Sequence, residues 1–248
     1  MNTETRSAQW YVDHLLADVG KFAVAVGIGP LDAAVAACPG WDLRQLTHHT
    51  GSVHRWARQS AETATQPLSF GTETPTDDEL ADWLRTGAHE LAGTLLSIDP
   101  EAPTWCPFPV EKIGRIWPRR QAHETAIHRW DAETTAGIAA TLDPELASDG
   151  IDEYFTITLP RLIKRARVEP PAGSLHLHCT DVPGEWLISF QDEEMTIIRE
   201  HRKGDAALRG PAEAILLKLW NRDTPRNHEL SPVGDESVLA AWLGMAGT

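Results

Sequence analysis

Residues 123–133, HETAIHRWDAE, crowd two histidines, two glutamates, an aspartate, an arginine and a tryptophan into eleven positions. On a helix, Glu124 and His128 are four apart and project from one face, one turn above the other. Asp131, three residues further on, falls on nearly the same stripe. A first-row metal held by two imidazoles and one carboxylate, with a position left for water or substrate, is a recurring catalytic arrangement. Glu124 and His128 could supply two of its three ligands. Asp131 could accept the ring N–H that the metal leaves unused. The same spacing also makes a solvated surface pair, and Glu-x-x-x-His is far less specific than a full HExxH.

A third ligand has to come from elsewhere, and THHTGSVH (residues 47–54) offers three histidines. Leu46 and Val53 flank His49 at minus three and plus four, so His49 lies on the stripe expected to face a helical interior. His48 and His54 are rotated away, and at most one of them shares that face. Metals in helical bundles are held between facing helices in this way. His176 and His178 in SLHLHCT point to one side of a strand, the pattern of a wet sheet face. His14, His89, His201 and His228 read as isolated and exposed. Arg222 follows an apolar helix, where a positive charge suits the C-terminal end of the helix dipole. No G-x-S-x-G, P-loop or dinucleotide glycine pattern is present, so serine-nucleophile, nucleotide and NAD chemistry lack support.

The elements that must position these residues change character along the chain. Up to about residue 140 the pattern is helix after helix: TETRSAQWYVDHLLADVGKFAVAVG with a threonine cap signal, a second helix after Pro39-Gly40, a third capped by Thr76 or Asp77, and a fourth from about Ile116 to Thr135. Four such helices read as a four-helix bundle. Residues 143–169 hold one or two further helices interrupted at Pro160. The period then drops to two in SLHLHCT, EWLISFQ and EMTIIRE, separated by DVPG and QDE turns, with a fourth strand in HRKGDAALRG. PAEAILLKLWNR, with Pro at its first position, and SVLAAWLGM are helical again. The expected fold is α+β: a metal-binding helical bundle over 1–140, then a smaller α+β domain over 141–248 with a short antiparallel sheet.

Composition narrows the partners. The chain of 248 residues is 42% hydrophobic and carries a formal charge of −14, which argues against nucleic acid or an anionic membrane as partner. Three scattered cysteines, Cys38, Cys106 and Cys179, form no CxxC pair, so neither a disulfide framework nor a thiolate zinc knuckle is expected. With no signal-type or spanning apolar run, the expected location is the cytoplasm and the expected state a monomer or weak dimer.

CPGWDLRQLTHHTGSVHRWA resembles the second-helix signature of the mycothiol-dependent maleylpyruvate isomerase family, a branch of the DinB-like metal-binding bundles. RRQAHETAIHRWDAETTAG resembles that family's fourth-helix signature, Glu-x-x-x-His-x-x-Asp. The stretch from LHLHCTDVPGEWLISF to ALRGPAEAILLKLWNR is similar to its C-terminal domain, related in shape to sterol-carrier domains. The resemblance covers essentially the whole chain. It implies a zinc ion on His49, Glu124 and His128, with Asp131 behind them, and mycothiol as the thiol cofactor. It also implies that Arg222 pairs with a substrate carboxylate or a developing enolate oxygen. In the implied reaction the thiolate adds to the cis double bond of maleylpyruvate, the enolate rotates about the new single bond, and loss of the thiol leaves fumarylpyruvate. The same chemistry would serve a mycothiol S-transferase acting on another electrophile. A non-catalytic protein binding a metal and an apolar ligand is the alternative from another class.

Overall fold

The computed structural model describes residues 6–67, 70, 71, 73–166, 169–191 and 194–247. It divides into two compact units, one running up to Pro107 and from Glu111 to Thr141, the other formed by Phe108–Val110 and Leu142 onward. Thr3 and Thr5 of the expected first cap, and Asp192 and Glu193 of the QDE turn, lie outside the described residues.

The first unit is built on α1 (Ala8–Ile28), α2 (Leu43–Ala61), α3 (Leu80–Ser97) and α4 (Ile116–Thr135). Ser7 caps α1, its hydroxyl accepting from the Trp10 N–H, and Tyr11, Val12, Leu15, Val19, Phe22 and Val26 form the buried stripe. Asp42 and Gln45 cap α2 reciprocally, which holds its first turn rigid just ahead of the histidines. α3 starts later than Thr76 or Asp77. The Asp77 carboxylate is taken by Arg44 at 2.6 and 2.8 Å, and Thr76 donates its hydroxyl to Glu79 instead. α1 and α2 each pack on both α3 and α4, closing a four-helix bundle. α4 is buried around most of its circumference, including Arg120, Gln121, His123, Arg129, Asp131 and Glu133. A helix so enclosed must satisfy its polar groups internally.

The second unit has α5 (Pro144–Glu153), a π turn (Tyr154–Thr158), α6 (Leu159–Ala166), β1 (Leu175–Cys179), β2 (Glu185–Gln191), β3 (Glu194–Ile198), β4 (Ala206–Gly210), α7 (Ala212–Leu219), β5 (Ser231–Gly234) and α8 (Glu236–Leu243). Pro160 does not break the helical stretch. It sits in the first turn of α6, and the π turn before it opens the spacing where a proline lacks an N–H. Pro211 stands at the cap of α7 rather than inside it. The sheet runs β3-β2-β1-β4-β5. Its ladders are antiparallel except one, because β1 and β4 pair in parallel. The alternation of side chains carries no strand direction, so this ladder differs from the all-antiparallel expectation. Leu175, Leu177, Trp186, Ile188, Ala206 and Leu208 are buried on the face that meets the helices. Among the described residues, no helix is long and apolar enough to cross a membrane.

Candidate metal centre

His49 and His128 meet over one carboxylate oxygen. Glu124 Oε1 lies 3.5 Å from His49 Nε2 and 3.4 Å from His128 Nε2. The three atoms all fall within 4.8 Å of one another. Zinc bonds of about 2.0–2.1 Å in a tetrahedron place neighbouring ligand atoms about 3.3–3.4 Å apart. The two measured separations match those edges, so the donor set and its spacing fit such an ion.

The surrounding side chains decide which lone pairs face inward. His128 Nδ1 lies 3.1 Å from Asp131 Oδ2, so an ionised Asp131 takes the Nδ1 proton and leaves Nε2 turned toward Glu124. Arg120, one turn before Glu124, donates to Oε2 and leaves Oε1 for the imidazoles. Burial pushes Glu124 up, but Arg120 and the two histidines outweigh it and hold the carboxyl well below its usual range. Burial also opposes charge on His128. Asp131, Cys38 and Glu124 outweigh it, and the imidazole pKa stands well above its ordinary value. Two ring nitrogens and a carboxylate oxygen aimed at one point need a positive species between them, either a proton or a cation.

The other histidines of α2 are committed elsewhere. His48 stacks on Trp83 and donates to the Glu73 carbonyl at 2.6 Å. His54 is fully buried, and its Nε2 lies 2.9 Å from Thr125 Oγ1. Thr125 gives its own proton to the Gln121 carbonyl, so His54 is the donor and its Nδ1 is a bare, buried lone pair without a partner. Burial accordingly drops the His54 pKa to about 3. The chemistry-rich residues of α4 thus serve two faces. Glu124, His128 and Asp131 turn toward α2, while Arg129 bridges Asp18 of α1 and Glu133 at 3.1 and 2.6 Å.

Three neighbours carried no legible signal. Cys38 Sγ stands 3.8 Å from Asp131 Oδ2, close enough to form a second potential ligand group with His128 and Asp131. Trp41 packs its ring 4.7 Å from that of His49, and Phe70 lies 6.4 Å from it. Cys38 and Trp41 stand in the CPGW stretch ahead of α2, and Phe70 in no motif. Arg120 was readable as an i, i+4 partner of Glu124. The His49 side chain is 28% exposed, so solvent reaches the edge of the cluster. Arg222 lies in the second unit. It is buried, follows Asn221 in the left-handed region (φ 56°), and donates to the Trp220 carbonyl at 2.7 Å.

Two family models match the chain: the mycothiol maleylpyruvate isomerase N-terminal domain over residues 12–133, and the C-terminal domain of the same family over residues 145–241. A solved structure of a mycothiol-dependent maleylpyruvate isomerase is similar in fold, with a TM-score of 0.58 at 9% identity, covering 92% of this chain and 93% of that one. No curated protein matches the chain in sequence.

Proposed function

Because the chain belongs to the mycothiol maleylpyruvate isomerase family, we propose that it is a zinc enzyme using mycothiol, with His49, Glu124 and His128 holding the ion. The observation that carries this reading is Glu124 Oε1 poised 3.5 and 3.4 Å from two imidazole nitrogens. Bound zinc supplies one thing, the cofactor sulfur as a thiolate near neutral pH. The chain's own residues do the rest. Asp131 fixes the His128 tautomer, and Arg120 fixes the rotamer and charge of Glu124. His48 and His54 are spent on Glu73 and Thr125, which supports a three-ligand set able to accept an outside sulfur. Arg222 is assigned the carboxylate or enolate oxygen of the substrate, where a guanidinium offers paired donors.

The reaction is isomerisation of maleylpyruvate to fumarylpyruvate, or the related transfer of mycothiol to another electrophile. Protein purified without chelator should contain zinc, and His49→Ala and Glu124→Ala chains should each lose the ion held between α2 and α4. Loaded enzyme with mycothiol should then convert maleylpyruvate or form an adduct with an electrophile from a panel. A wild-type chain free of divalent metal would overturn the reading.

A further inference from the structure

The parallel β1–β4 ladder has a consequence for chemistry. β3 runs parallel to β1, so the chain leaves β3 at one end of the sheet and must enter β4 at the other. Residues 199–205 make that return without a helix. Seven extended residues reach about 23 Å, enough to cross a five-residue strand of about 17 Å. The crossing ends at Gly204, where an added Cβ would lie 2.9 Å from the His176 backbone nitrogen. It therefore lays His201 against the strand face that carries His176 and His178.

The result is a cluster the strand pattern alone does not contain. His178 pairs in register with Glu185 across the β1–β2 ladder, and its Nδ1 bonds Glu185 Oε1. His201 Nδ1 reaches the same oxygen at 2.9 Å. The His201 ring lies 5.3 Å from that of His176 and 6.3 Å from that of His178. One ligand atom from each of the four residues falls within 4.8 Å of the others. His176 is the telling member. It is 93% buried, at 7% exposure, and its Nε2 has no hydrogen-bond partner. Leaving a buried ring nitrogen unsatisfied costs stability unless something is bound there.

We infer that His176, His178, Glu185 and His201 form a second metal site, on the C-terminal sheet, for a borderline divalent cation of the zinc, nickel or copper class. Three imidazoles and one carboxylate are the donor set those ions prefer over magnesium or calcium. Four protein ligands from two strands and the crossing loop would close the coordination sphere, as in structural sites, and pin residues 199–205 to the sheet. This inference is independent of the role assigned to His49, Glu124 and His128.

The test titrates chelator-stripped full-length protein with Zn2+ in competition with a chromogenic chelator. Wild type should bind two ions, and a His49→Ala/Glu124→Ala chain should keep one. Adding His201→Asn, at a side chain 77% exposed and so harmless to folding, should weaken the remaining ion by more than about tenfold. Glu185→Gln in the otherwise native chain should remove one ion of the two, which covers the case of a double variant that fails to fold. Zinc affinity unchanged by both His201→Asn and Glu185→Gln would overturn the second site. Loss of the ion from the second site alone would leave the α2–α4 reading standing, and loss from the first alone would leave this one.

Discussion

Two histidine–carboxylate clusters in this chain share ligand types and differ in how they are held. On α2 and α4 a single carboxylate oxygen faces two imidazoles, and buried neighbours set its charge and the tautomer of His128. On the sheet, a single carboxylate oxygen again faces two imidazoles, but the His201 side chain is 77% exposed and arrives on a loop. The difference teaches that donor identity does not distinguish a reactive site from a fastening one. What distinguishes them is the supporting shell and whether ligands are left to come from outside.

The comparison can be broken most directly at its strongest point. Glu124→Ala should abolish zinc retention by the α2–α4 cluster and thiol-dependent turnover, while the sheet cluster keeps its ion; metal analysis alongside turnover reads both. Asp131→Asn should leave the ligands present but lower zinc affinity there about 10–100-fold. An affinity equal to wild type would mean that the Asp131–His128 contact positions nothing.

Acid should separate the two units next. His54 is driven down to about 3 by burial, aided by Arg55, His128 and His49 and opposed by Glu124. The unfolded chain takes up this proton below about pH 6.5 and the folded chain does not, so His54 stabilises the fold above that pH. That contribution drains away as pH falls from about 6.5 toward 3, with an upper bound of about 5 kcal/mol. Denaturant melts of metal-free wild type and His54→Gln should therefore diverge in slope between pH 6.5 and 4. Parallel curves would refute a buried neutral His54. The smallest effect belongs to His201→Asn, which should change metal-free stability by no more than about 0.5 kcal/mol. A larger loss in thermal melts would make its bond to Glu185 a fold contact first.

Some of this was written in the chain itself. The limits of α4, Ile116–Thr135, were readable because a proline-rich connector and a glycine past the last turn bracket it. His49 could be picked from three histidines because Leu46 and Val53 mark the inner stripe, and the structure brings it to Glu124. The Asp131–His128 contact is local, three residues apart on one helix. Other features were not legible because they depend on separated segments. The start of α3 moved when Arg44, from another helix, took Asp77. Cys38 gained a place beside Asp131 only through the loop before α2.

Periodicity and caps, which are short-range, determined the helices, strands β1–β4 and the membership of α4's polar face, since 3.6- and 2-residue repeats act within one segment; β5 (Ser231–Gly234), which pairs with β4, carried no such repeat. Long-range pairing decided the parallel β1–β4 ladder, the return of 199–205 across the sheet and the burial of His176, because strand direction and crossover path are properties of the assembled sheet. Hence one cluster announced itself by spacing, and the other came into being only when the chain closed.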